Sequence, residues 1–327
     1  MKAGRSGDPA RDRQAKLPAR RGEARRRFAL QRISASALLT ALALSAFGVV
    51  FGWPHGHATS VKRGTPVPRS LHPDPRRRTR RHSPVFRPSA AAVPILMYHV
   101  IAAPPPSAPF PGLYVDPGDF RRQMETLARA GYRAVTLDEV RRAWLGRQAL
   151  PKRPIVISFD NGYRTQYTEA LPILRRLGWV GVENLQLTGL PASQGGLTPP
   201  EIRRLIGAGW ELDTQGMSHA NLNDLGAAQL HFQIEDARRR LRARYHVAVN
   251  WFCYPSGQYD STVIAAVAAA GFVGSTTVVP GWARPAENPF TLPRLRVLRG
   301  TTTFELLRLI DGFRSTPPPP AVYRTSA

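Results

Sequence analysis

From Val93 onward, short apolar runs alternate with amphipathic stretches, and this alternation constrains the fold more than any other feature of the chain. PILMYHVI (94–101), YRAVTL (132–137), PIVISFDNG (154–162), VGVENLQL (180–187), WELDTQG (210–216), WFCYPSG (251–257), FVGSTTVV (272–279) and LPRLRVL (292–298) read as strands. Between them, DFRRQMETLARAG (119–131) sets Phe120, Met124, Leu127 and Ala130 on one helical face and ends at Gly131. Asp138 can cap the next helix, and prolines after Thr198 open another at 199–209. The stretches 168–178, 227–245, 261–271 and 303–313 also carry helical patterns. Strand and helix repeated this often predict an α/β fold with a mainly parallel sheet, near a barrel in count. In such folds the polar residues at strand C-terminal ends gather at one mouth. Here those ends are Tyr98-His99, Asp160-Asn161, Asn184, Asp213 to His219, and Tyr254-Pro255-Ser256.

The charge is unevenly placed. The chain has 327 residues and a net charge of +24, of which residues 1–32 and 54–90 carry +8 each. A basic excess confined to tails is a solvated feature, or an Arg/Ala/Pro composition bias, before it is a nucleic-acid surface. Between the two basic stretches lies Ile33 to Trp53, 21 residues without a charge, a length that spans a bilayer as a helix. With RRRFALQR on its N-terminal side it reads as a signal anchor that leaves the arm 1–32 in the cytoplasm and exports the rest. A cleaved signal peptide ending near Gly56 to Ala58 is the alternative, giving a secreted protein. Residues 54–90 read as a Pro/Arg-rich linker, 91–315 as the folded domain, and 316–327 as a disordered tail. The linker's charge suits anionic wall polymers or headgroups, and no nucleic-acid partner is expected. The single Cys253 excludes an intramolecular disulfide, so the exported domain must rest on its core.

Five stretches, in order, resemble the polysaccharide deacetylases of the NodB-homology family (carbohydrate esterase family 4). They are PILMYHVI, VISFDNGYRTQY, WELDTQGMSHANL, FCYPSGQYD and GWARPAENPFTLPRLRV, and they cover about residues 93–300. The resemblance implies a distorted parallel barrel of about seven strands. It implies removal of acetyl groups from chitin-like or peptidoglycan-like sugars, with a divalent metal, zinc or cobalt, as cofactor. In the family an Asp-Asp pair supplies the general base and a metal ligand, and a His-x-x-x-His motif supplies two further ligands. A late histidine is the general acid, and an arginine belongs in the third motif. A metal would polarise the acetyl carbonyl and acidify a bound water, and a neighbouring carboxylate would take the proton.

Carried over by position, Asp160 matches the general base, although a strand-end Asp capping its turn reads as well. Asn161 stands where the metal-binding Asp belongs, Gln215 where the first His belongs, and His219 matches the second. His219 reads equally as a histidine bonded to its loop backbone. Asn and Gln offer a carbonyl oxygen but no charge, so the metal site is degenerate. Cys253 lies where the third-motif arginine is expected, and no histidine follows Tyr254. Near LPRLRV only Arg294 and Arg296 are present, and arginine does not release a proton at neutral pH. His99, Tyr254, Ser256 and Trp282 are candidate substrate-binding residues. The departures remove chemistry but keep hydrogen-bonding groups suited to sugar hydroxyls and acetamido groups. The expectation is a membrane-anchored family member acting on or binding N-acetylated cell-surface glycan, with metal-dependent deacetylation impaired. An active N-deacetylase with a non-standard site and a non-catalytic scaffold or wall-polymer binder are the alternatives.

Overall fold

The computed structural model describes residues 86–324. The arm, the apolar run 33–53 and most of the linker lie outside the described residues. Among the described residues no helix is long and apolar enough to cross a membrane.

Seven strands form one continuous path, in the order β7-β6-β5-β4-β3-β1-β8. They are β1 (Val93–Tyr98), β3 (Pro154–Asn161), β4 (Val182–Leu185), β5 (Glu211–Thr214), β6 (Trp251–Cys253), β7 (Gly274–Thr276) and β8 (Trp282–Ala283). All neighbours from β1 to β7 are parallel, and only β8 runs antiparallel, beside the start of β1. Two short strands lie off the path: β2 (Arg133–Ala134) on β3 and β9 (Leu295–Arg296) on β1. The segment ahead of β9 draws the sheet into a curl, because Leu292 bonds to β7 through Ser275 and Thr277 while Leu295 and Arg296 pair with Leu96 and Met97 of β1. The half-barrel therefore agrees with the expected architecture in strand count and direction.

Helices cover the outside: α1 (Pro117–Arg129), α2 (Leu137–Trp144), α3 (Leu171–Arg176), α4 (Pro199–Gly207), α5 (Ala227–His231), α6 (Ala237–Tyr245), α7 (Ser261–Ala269) and α8 (Thr303–Gly312). Helix α2 is capped by Thr136, not by Asp138. The Thr136 hydroxyl accepts from the Glu139 N–H and the Glu139 carboxylate accepts from the Thr136 N–H, a closed capping box. This box ends the strand at 134, three residues before the end read from YRAVTL.

Period-two alternation sorts the strand residues into two layers. Tyr98 and Phe159 point outward with Phe120 of α1 and Trp210, and Phe159 stacks on Trp210 with ring centroids 4.9 Å apart. Ile95, Val156, Val182 and Trp251 form a second, separate buried cluster. Further along the same strands, at their C-terminal ends, the residues of that parity are polar: Ser158, Asp160, Asn184 and Cys253, all buried. The C-terminal stretch differs from the disordered tail expected at 316–327. Up to Arg324 it is tied to Tyr259, whose hydroxyl donates to the Pro320 carbonyl at 2.7 Å and whose N–H donates to the Tyr323 carbonyl at 2.9 Å.

Candidate functional site

The strand C-terminal ends open into a cavity of about 560 Å³ whose lining includes His99, Asp160, Asn161, Gln215, Ser256 and Arg296. His219, Tyr163, Gln186 and Phe110 complete much of the wall. Six of the eight residues proposed from the sequence meet here. Tyr254 and Trp282 do not. Tyr254 is fully buried and its hydroxyl donates to the Phe290 carbonyl at 2.9 Å. The Trp282 indole N–H donates to the Ile310 carbonyl at 2.7 Å, beneath α8. Both are core aromatics with their polar atoms satisfied internally, so neither is available to a ligand.

Local backbone geometry sets the rim. Asn161, His219 and Ser256 adopt φ of 82°, 60° and 54°. Non-glycine residues rarely hold this left-handed region, and where they do the surroundings enforce it. Gly162 continues the turn at φ 84°, and a Cβ there would lie 2.4 Å from Leu185. Gln166 ties the ends of β1 and β3 together, its amide donating to the carbonyls of His99 and Asp160 at 2.8 Å each.

Asp160 is 1% exposed and lies at the floor of this cavity. Its carboxylate is clamped by Arg294, with Nη1 donating to Oδ1 at 2.7 Å and Nη2 to Oδ2 at 2.8 Å. The Asn184 amide donates to Oδ1 at 2.9 Å, and the His99 Nε2 stands 3.9 Å from Oδ2. Burial alone would raise the Asp160 pKa. The Arg294 charge and its hydrogen bonds, aided by His99 and Asn184, outweigh burial and bring the value down to about 2. A carboxylate held so firmly ionised is a weak proton acceptor. The sequence assigns Asp160 the base role by position; the geometry makes it half of a buried ion pair.

Arg294 is fully buried, with further bonds from Nε to the Thr277 carbonyl at 2.8 Å and from Nη1 to Ser158 Oγ at 3.2 Å. Its Nη2 also lies 3.2 Å from the Cys253 sulfur. The third-motif arginine that the resemblance implies is replaced by the small Cys253, and the Arg294 guanidinium, from the segment ahead of β9, lies against its sulfur. Cys253 is inert: burial, opposed by Arg294, pushes its thiol up to about 12. The sequence reading noted Arg294 only as a non-acid in the place of the late histidine. No signal in the sequence marked it, since arginines are mostly exposed and the burial of Arg294 follows only from closure of the sheet.

His99 is the histidine nearest to Asp160, and it comes from the end of β1 and not from the late segment. Burial, with Arg294, Arg296 and His219 assisting against Asp160, lowers its pKa to about 4, so it is neutral at physiological pH. Burial lowers that of His219 as well, against the pull of Asp160.

The donor set tests poorly against a zinc or cobalt ion. The oxygens Asn161 Oδ1 and Gln215 Oε1 are buried without a hydrogen-bond partner, so amide oxygens line the place where charged or imidazole ligands would be needed. His219 and His99 bring imidazoles to the lining, but the only carboxylate lining the cavity, Asp160, has both oxygens held by Arg294. Among the described residues no group of three His, Cys, Asp or Glu side chains is arranged to hold a metal. These residues do not fit the cofactor that the family generally uses.

The fold is a curled, mostly parallel α/β sheet with a polar cavity at its strand C-terminal ends. Residues 147–275 match the sequence profile of the polysaccharide deacetylase family, and the chain carries a domain of that family. The Bacillus subtilis (strain 168) protein YxkH, whose name places it among polysaccharide deacetylases, is 25% identical over 210 residues, 64% of this chain and 73% of YxkH. The poly-beta-1,6-N-acetyl-D-glucosamine N-deacetylase of Escherichia coli (strain K12) is 37% identical over 62 residues, 19% of this chain but only 9% of that enzyme. The Streptococcus pyogenes deacetylase PplD, solved in complex with acetate, is similar in structure with a TM-score of 0.63 and 25% identity, over 68% of this chain and 99% of PplD.

Proposed function

We propose that this is an exported polysaccharide deacetylase-family protein, tethered to the membrane through residues 33–53, that binds N-acetylated cell-surface glycan and has lost ordinary metal-dependent deacetylation. The observation that carries this reading is the Asp160–Arg294 clamp beside the unpartnered amide oxygens of Asn161 and Gln215. The family's chemistry needs a free base and a charged ligand set, and this cavity offers neither. It does offer hydrogen-bonding groups for hydroxyls and an acetamido group, in a volume typical of ligand pockets.

A second reading, an active N-deacetylase with a non-standard site, draws support from His99 standing 3.9 Å from Asp160 at the cavity wall. One experiment separates them. The full-length protein is dialysed against zinc and against cobalt, its metal content is measured, and acetate release from N-acetylglucosamine oligomers is followed alongside oligomer binding. Binding without stoichiometric metal or acetate supports the first reading. Near-stoichiometric metal together with acetate release establishes the second.

A further inference from the structure

A second cavity lies between α4, α6 and the stretch that follows β4. It holds about 300 Å³, the low end of the range for small-ligand pockets. Its floor is apolar: Leu197, Ile202 of α4 and Leu241 of α6 line it, each more than nine-tenths buried. At its lip Leu187 and Leu190 are only partly buried, so apolar surface is left facing solvent. The same stretch borders the polar cavity, and Gln186 lines both.

The rim is cationic. Arg240 and Arg244 of α6 line the opening, about one helical turn apart, and both are exposed. Arg203 of α4 reaches the same edge. Its guanidinium and that of Arg244 lie 5.7 and 5.9 Å from the centre of the Tyr245 ring, which also lines the cavity. Among the described residues none of these three arginines forms an ion pair. The neighbouring acids are engaged elsewhere, Glu201 with Arg164 at 2.8 Å and Asp236 with Arg239 at 2.7 Å. Part of the charge serves the helix, since Arg244 stands in the last turn, where the carbonyl end attracts cations. Arg240 has no such place. It rests 5.7 Å from the centre of the Phe232 ring, a contact that leaves its charge unpaired, and like charges four residues apart weaken a helix.

An apolar trough with guanidinium groups at one edge matches a hydrocarbon chain that ends in an anion. Groups from two helices meet that anion from different directions. This suits a phosphate monoester, which presents up to two charges and three acceptor oxygens, better than a carboxylate with one charge and two oxygens. The small volume suits a single chain.

We propose that this cavity is a binding site for a single-chain alkyl phosphate, with the head held by Arg240, Arg244 and Arg203 and the chain laid over Leu187, Leu190 and Ile202. The site does not depend on what the polar cavity binds, or on any metal.

The test is calorimetric titration of the full-length protein in phosphatidylcholine nanodiscs at low salt, with empty nanodiscs as the blank. Four probes separate head from tail: octyl phosphate, octyl glucoside, octanoate and inorganic phosphate. Octyl phosphate is expected to bind roughly tenfold more tightly than each of the other three. In Arg240→Gln/Arg244→Gln its affinity is expected to fall about tenfold, to the level of octyl glucoside. In Leu190→Ser it is expected to fall several-fold, with affinity for inorganic phosphate unchanged. None of the three positions is buried, so both variants are expected to fold, and their circular dichroism is compared with the wild type. Failure of octyl phosphate to bind overturns the proposal. So does equal binding of octyl phosphate and octyl glucoside, or a preference that survives the double arginine variant. Inorganic phosphate binding as tightly as octyl phosphate overturns the chain site, and octanoate doing so overturns the phosphate assignment.

Discussion

Replacing Arg294 by Met would strand the Asp160 carboxylate in a fully buried position with Asn184, a weak thiol contact and His99 at 3.9 Å as its remaining neighbours. Removing one partner of a buried pair typically costs about 3–5 kcal/mol, because the remaining charge is uncompensated. Arg294→Met is therefore expected to lower the urea midpoint sharply without changing the slope. Adding Asp160→Asn to it should recover part of the loss, since the double variant has no buried charge left. Arg294→Lys should not rescue fully, because an ammonium cannot bond both carboxylate oxygens in parallel. The pair also sets an acid limit. The Asp160 pKa lies near 2 in the folded protein, below its unfolded value, so its stabilisation is complete above the unfolded value and is lost as pH falls toward 2. Denaturant unfolding between pH 5 and pH 2 should fall more steeply for the wild type than for the double variant.

At the level of elements, the strands are held at the end away from the cavity by a knot of carboxylates. Asp213 of β5 accepts from the N–H groups of Asn250 and Trp251 at 3.1 and 2.9 Å, fixing where β6 begins. Asp138 of α2 accepts from the Asn250 amide at 2.7 Å and the Trp251 indole at 3.0 Å, and its own N–H donates to Glu211 at 2.8 Å. Burial raises the Asp213 pKa to about 7 and raises that of Glu211 well above its ordinary value, with the neighbouring acids adding to the Glu211 shift. The folded state then binds more protons than the unfolded chain between about pH 4 and 7, so stability falls as pH rises through that window. Asp213→Asn keeps an acceptor for the two N–H groups and removes the charge. It is expected to flatten the fall in urea midpoint between pH 5 and 8 and to leave the variant more stable than the wild type at pH 8.

The same elements mark what the sequence disclosed. The parallel strands announced themselves because both of their faces are buried, which leaves near-continuous apolar runs such as PIVISF. The antiparallel β8 was not visible, since two residues carry no period and its place depends on contact with Val93 and Pro94 far upstream. The early end of β2 was decided by a capping box and not by hydropathy. At the site, Asp160, Asn161, Gln215 and His219 could be placed from strand ends alone. The clamp could not, because it joins residues 160 and 294 through closure of the sheet. Tyr254 and Trp282 misled for a related reason, as aromatics at strand ends look alike whether they face a groove or a helix.

For the molecule as a whole, the candidate site exists only when β3, β5 and the β9 segment come together, so its chemistry cannot be restored one residue at a time. Asn161→Asp with Gln215→His returns a carboxylate and an imidazole beside His219, a set that zinc accepts. In the full-length protein this double variant is expected to raise zinc affinity by orders of magnitude over the wild type, read as metal retained after dialysis. Acetate release from N-acetylglucosamine oligomers is nevertheless expected to stay near background, because Arg294 still holds both Asp160 oxygens and keeps the carboxylate a poor base. No gain in zinc retention would mean that positions 161 and 215 do not face a common point, and the positional match to the family's ligands would then fail. A gain in zinc together with acetate release would show that the clamp does not silence Asp160, and that the losses at 161 and 215 alone account for the missing chemistry.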